Sequence, residues 1–371
     1  MPTTSRTTRR YIAMLVLVVA LIAGWSWFWS YATGKVQTAV EGWRAREAQA
    51  GRIYACGTEE YGGYPFRFEM QCDQASALFR NGQQPVEVKA RGILVAAQVY
   101  QPNLLIGEIH GPLTVAAPGQ PPELIVNWKL FQTSVRGTPR APERVSLVLD
   151  RPVVDRVENG QPRLVLRADH AEIHGRMAEG SAADHPAIEI GLRIDGALAP
   201  GIAAAAAQPV DATVDTVLRG LSDFSPKPWH ERFRQMQQAG GSIDVVQARL
   251  QQGETLAVGT GNISINPSGR MQGQLNMTIA GLEPFLKSIG AQQMVQNSKA
   301  VDKLAGVLDR LSPGLGSVAR EQVGANISAG INMIGQQTKL EGRPAVMVPL
   351  RFDDGAMFLG PIPLGQAPAL F

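Results

Sequence analysis

The hydrophobic pattern along the chain changes several times, and each change predicts a different element. From Tyr11 to Tyr31 there is no charged side chain over 21 positions. As a helix this run is about 31 Å long, which matches the hydrocarbon core of a bilayer. Arg6, Arg9 and Arg10 precede it, and the positive-inside rule keeps that end cytoplasmic. Trp25, Trp27, Trp29 and Tyr31 gather at the other end, where amphipathic rings favour the headgroup layer. A cleaved signal peptide has a shorter apolar core ending in a small-x-small site, which Ser30-Tyr31-Ala32 resembles. The continuation through Trp27, Phe28 and Trp29 argues instead for an uncleaved anchor.

A helical period follows. Val36, Val40 and Trp43 stand at i, i+4 and i+7 between Lys35 and Gln49, with Gly51 as a C-cap, which predicts a short amphipathic helix acting as a solvated stalk. From Ile53 the period becomes two. Candidate strands are Val86–Ala90, Ile93–Tyr100, Leu104–Ile109, Leu124–Phe131, Val145–Leu149, Arg163–Ala168 and Ala187–Ile194, separated by Gly, Pro and Asn. Glu158-Asn159-Gly160 reads as a hairpin turn because Asn-Gly accepts positive φ. In Ile188, Ile190, Leu192 and Ile194 apolar residues alternate with Glu189, Gly191, Arg193 and Asp195, giving one buried and one wet face.

The alternation stops between Ala199 and Gly241. Val210–Leu221 and Pro228–Ala239 read as helices, the second carrying Trp229, Phe233 and Met236 on one stripe. Strands then resume over Ser242–Leu250, Thr255–Ile265 and Arg270–Ala280, with Met271, Leu275, Met277 and Ile279 on one face. Helices are expected at Glu283–Gln296, Val301–Leu311 and Val318–Ile334, and a closing hairpin turns at Asp353-Asp354-Gly355. The expected fold class is mainly β (α+β): an N-terminal transmembrane helix, then a long curved antiparallel β-meander packed with a few helices. The expected divisions are a basic tail (1–10), the transmembrane helix (11–31), an amphipathic linker helix (32–52) and a first β-rich part (53–200). A helical insertion or boundary (201–241) and a second β-rich part (242–371) with helices in 283–334 complete them.

Composition changes this picture little. Charged residues are 18%, below an average soluble protein, and the formal net charge of +3 is scattered, so no nucleic-acid surface is indicated. The two cysteines, Cys56 and Cys72, read as one disulfide in an oxidising compartment, the competing reading being two buried thiols.

Candidate chemistry is sparse. There is no GxSxG, HExxH, phosphate-binding Gly-rich loop or paired CxxC, so no catalytic residue, metal or cofactor is nominated and no enzyme is expected. His170, Glu172 and His174 share one face of a strand, where two imidazoles and a carboxylate could meet a metal; a wet sheet face explains them more simply. Asp353 and Asp354 read as turn residues rather than an acid–base pair. Asn262-Ile-Ser, Asn276-Met-Thr and Asn326-Ile-Ser match a glycosylation acceptor by chance. The most distinctive segment is Glu60–Cys72, with the motif Gly63, Tyr64, Pro65, Phe66 and Phe68, where Gly62, Gly63 and Pro65 turn the chain sharply before an alternating strand, as a structural lock or a ligand-contacting loop.

An anchor, GYPFRFE, a nearby Cys pair and the ending Leu359-Gly-Pro-Ile-Pro-Leu-Gly-Gln-Ala-Pro-Ala-Leu370 resemble an alphaproteobacterial family of uncharacterised single-anchor envelope proteins. The resemblance implies an inner-membrane anchor with its bulk in the periplasm and carries over no site residue. The strands of 242–280 also look distantly similar to AsmA-like envelope proteins, whose β-rich grooves are associated with phospholipid handling. The leading expectation is a non-enzymatic periplasmic module whose apolar sheet face, with Ile190, Leu192, Leu275, Met277 and Ile279 as lining candidates, takes acyl chains of phospholipid. The alternative is a structural component meeting an envelope protein partner through edge strands or the 35–49 helix.

Overall fold

The computed structural model describes residues 6–80, 84–138, 141–179, 187–201, 204–221, 227–288, 335–360 and 362–371. The chain divides into two units, residues 1–135 with 156–162 and residues 136–155 with 163–371. Antiparallel strands dominate both, and among the described residues one helix, at the N-terminus, is long and apolar enough to cross a membrane, so the chain is α+β with an N-terminal apolar helix.

In unit 1 that helix, α1 (Arg6–Gln49), runs unbroken for 44 residues from the basic tail through the apolar run into the amphipathic segment. The expected stalk is not a free one. Trp43 stacks on Tyr54 at 4.9 Å, Arg44 reaches Glu59 and Arg52 reaches Glu47, so the helix lies against the first strands. Its stripe of Val36, Val40 and Trp43 predicts some docking face, and Trp43 of that stripe meets the nearest sheet. Those strands are β1 (Arg52–Ala55) and β2 (Thr58–Gly62), both paired with β3 (Arg67–Phe79), followed by β4 (Val86–Gln98), β5 (Gln101–Ala116) and β6 (Leu124–Asn127). Strand β3 pairs β4, β4 pairs β5 and β5 pairs β6. The chain then passes through β7 (Leu130–Thr138), β8 (Ala141–Asp150), β9 (Val153–Glu158) and β10 (Gln161–Arg167). The β9–β10 turn has Asn159 and Gly160 at φ 53° and 76°, the left-handed pair that Asn-Gly forecasts.

Unit 2 is a meander of β8, β11 (His170–Met177), β12 (Ile188–Ala197), β13 (Val210–Leu218), β14 (Ser242–Gln252), β15 (Thr255–Ile265) and β16 (Met271–Ala280). Helix α2 (Trp229–Gln238) interrupts it after β13 and α3 (Leu282–Ser288) follows β16. The sheet closes with β17 (Gln336–Leu340), β18 (Arg343–Asp353), β19 (Ala356–Leu359) and β20 (Ile362–Gln366), β18 pairing β16 directly. Asp354 and Gly355 stand at φ 47° and 79°, so the Asp pair is turn chemistry.

One element is corrected. Residues 210–218 are not a helix but strand β13, paired on both edges. Five of its nine residues are Val or Thr, whose branched side chains lose rotamer freedom in a helix and pack well on a pleated surface. The expected helices at 301–311 and 318–334, the part of 283–296 beyond Ser288, and Asn326 lie outside the described residues.

Candidate functional site

The GYPFRFE segment acts on the anchor. Gly63 sits at φ 98°, and a Cβ there would stand 2.5 Å from the Arg67 carbonyl oxygen, so only glycine makes the turn that Arg67 N–H closes onto Gly63 O at 3.0 Å. The turn presents Tyr64 and Pro65 to α1. The Trp25 indole donates to Pro65 O at 3.0 Å, the Trp29 indole to Arg67 O at 3.2 Å, and Ser26 Oγ meets Tyr64 OH at 2.9 Å. Trp29 also packs edge-on to Tyr64 and stacks on Phe68, at 5.5 and 6.1 Å. Each hydrogen bond contributes about 1 kcal/mol and each ring pair about as much again. The motif is therefore a lock between sheet and membrane helix, and its Phe66 is the ring left outward.

Lower on the hairpin, Cys56 and Cys72 form a disulfide across a sequence separation of 16. It pins the β1–β2 corner to β3, and Arg44 of the helix lies 3.3 Å from Cys56 Sγ. Burial alone would raise the Glu59 carboxyl, but the Tyr61 hydroxyl and the Arg44 guanidinium hold it below its usual range. Burial and the Glu59 carboxylate push the Tyr61 phenol up to about 12. The Glu59 carboxylate that joins sheet to helix is thus favoured in its charged form.

In unit 2 the ladder register decides which of the lining candidates meet. Ile190 leads through Thr216, Val245 and Gly261 to Leu275 in one row. Leu147, Ile173, Leu192, Val214, Ala248, Gly259, Met277 and Val348 make the next. Ile194, Ala212, Leu250, Ala257, Ile279 and Val346 make a third. One extra residue in β14, seen in its pairing with both β13 and β15, keeps the parity of those neighbours constant, so all five candidates share one face. Coverage differs along it. Ile279 is fully buried among Val346, Val348, Leu282 and Leu286, as filled core. Ile190 packs beneath α2 with Met236 and Phe233, the stripe predicted for that helix. Leu192 and Met277 are half-buried, while Val145, Ile173 and Leu250 keep 41, 40 and 38% of their surface exposed.

The reverse face is polar. His170 Nδ1 lies 2.7 Å from Asp150, Glu172 lies 3.2 Å from His174 Nε2, Arg176 pairs with Glu189 and Arg193 with Asp195. The Asp150 bond, aided by Glu172 against modest burial, raises the His170 imidazole above its ordinary value. Hydrogen bonding to His174 first, then to His170, lowers Glu172. These carboxylates serve the imidazoles as partners, and among the described residues no three His, Cys, Asp or Glu side chains are placed to hold a metal ion. A cavity of about 550 Å³ opens beside them, lined by the charged Arg144, Arg176, Glu189 and Asp215, by His174 and also by the apolar Ile190, Val217 and Val246, and His174 Nδ1 is buried without a hydrogen-bond partner. Sequence alternation pointed to this wet face; the lean of Asp215 over Gly191, whose missing side chain leaves room for it, had no signal in the pattern.

Comparison with known proteins adds one finding. The model of DUF2125, described as uncharacterised proteins conserved in bacteria, matches residues 29–368, and the chain belongs to that family. No curated protein matches the chain. The match begins inside the Trp25–Tyr31 cluster and includes the GYPFRFE segment, both cysteines and the closing strands.

Proposed function

From membership of that bacterial family and its membrane helix, we propose that the protein is a non-enzymatic envelope component anchored in the inner membrane with its bulk in the periplasm, and that unit 2 handles phospholipid acyl chains. The arginines in the first turns of α1, ahead of its apolar run, support the orientation, and a disulfide suits an oxidising compartment. The observation that carries the acyl-chain reading is the set of aliphatic ladder rows on one sheet face, left partly exposed at Val145, Ile173 and Leu250. Such a face takes a flexible hydrocarbon chain without directional contacts, through burial at about 25 cal/mol per Å². The distant AsmA-like strand pattern supports the same reading by analogy only.

The test is photocrosslinking in cells with Ile173→p-benzoylphenylalanine and Leu192→p-benzoylphenylalanine. Adducts of phospholipid mass are expected at both positions. Repeated capture of one protein, with no lipid adduct, overturns the lipid reading in favour of an envelope scaffold.

A further inference from the structure

An apolar groove of about 520 Å³ lies in unit 1, and one of its walls is the membrane helix itself. Leu21, Ile22 and Trp25 of α1 form that wall; Pro65, Phe66 and Tyr100 face them from two loop tips. The tips are tied together, Val99 N–H donating to Phe66 O at 2.9 Å. Leu21 and Ile22 belong to the uncharged run that spans the bilayer, so whatever fills a groove against them meets it at lipid depth. Phe66 and Tyr100 nevertheless expose 68 and 71% of their surface, as rings placed for a medium other than water.

The polar groups of the loop agree. Irregular backbone tolerates membrane depth only where its carbonyls are satisfied by protein. Here Pro65 O and Arg67 O accept from the Trp25 and Trp29 indoles, and Tyr64 OH is held by Ser26. Interfacial tryptophans ordinarily turn their N–H groups to water and headgroups; these two turn them to a loop of their own chain. Arg67, whose guanidinium is exposed and paired with Glu69 at 2.7 Å, marks the level where the polar layer begins.

We infer that the 63–67 turn and the 99–101 tip are inserted into the leaflet nearest unit 1, and that the groove between them and α1 holds a phospholipid acyl chain. Unit 1 is thereby seated in the bilayer surface rather than suspended above it. This rests on the membrane-spanning reading of α1 and is independent of the acyl-chain reading of unit 2.

The full chain, reconstituted in phosphatidylethanolamine–phosphatidylglycerol vesicles, is tested with p-benzoylphenylalanine placed singly at Val16, Phe66, Tyr100 and Arg46. Val16 reports the span, and Arg46 lies about 36 Å beyond Ile22 along α1. Phospholipid-mass adducts are expected at 16, 66 and 100, with a loss of at least about tenfold at 46, outside the bilayer. Adducts at 16 but not at 66 and 100 overturn the inserted groove while leaving the anchor standing. Their absence at 16 as well overturns the anchor and the groove together.

Discussion

At the residue scale, the side chains that matter most are those whose partners lie far away in sequence. The GYPFRFE turn was legible as a lock because Gly and Pro punctuate an alternating strand, but its keys, Trp25 and Trp29, stand 40 and 38 residues upstream and no local pattern connects them. The anchor's tryptophans were legible only as a belt. The imidazole cluster reads more clearly, since i, i+2, i+4 spacing puts His170, Glu172 and His174 on one face, though Asp150 arrives from another strand. That pair carries a pH signature. His170 is raised in the folded state, so its contribution is fully present below the ordinary imidazole value of about 6.5 and is lost as pH rises through the raised one. Asp150→Asn should lower the unfolding free energy of the full chain, read from urea unfolding in detergent at pH about 5.5, by about 1 kcal/mol or less for a partly exposed pair, and leave it unchanged at pH about 9. An equal loss at both pH values would refute the assignment.

At the element scale, strands with strict alternation were read correctly, and the misreading fell where two signals competed. Residues 210–218 follow an Ala-rich segment, and their apolar positions fit a helical stripe nearly as well as a strand; neighbouring β12 and β14 settle the matter by pairing both edges. The amphipathic end of α1 was likewise read as solvated, because a stripe predicts burial without naming what covers it. The contact between α1 and strands β1 to β3 runs from Trp25 to Glu47, about 33 Å of helix, and its Trp25 end depends on the turn at Gly63. Gly63→Ala should cost about 1–3 kcal/mol, since a left-handed residue and a carbonyl contact are both strained. Urea unfolding should show the loss, and trypsin should cut faster at Arg67. Unchanged unfolding and cleavage would mean that the turn relaxes freely.

At the scale of the whole molecule, alternation foretold that one face of unit 2 would be apolar but not where it would be covered. A bulge in β14 and the docking of α2 and α3 decide that, and neither is written in a period of two. The proposed orientation of the chain across the membrane is open to a direct measurement. Alkaline phosphatase fused after Phe371 should be active and a fluorescent protein in its place dark; the reverse would place the bulk in the cytosol. Because α1 carries no break between its lipid-facing and sheet-facing lengths, it behaves as a shaft keyed to its load. Any lean the bilayer imposes on the shaft, as when its hydrocarbon layer thins or thickens, swings unit 1 through the same angle, so membrane thickness becomes a setting of the protein's attitude.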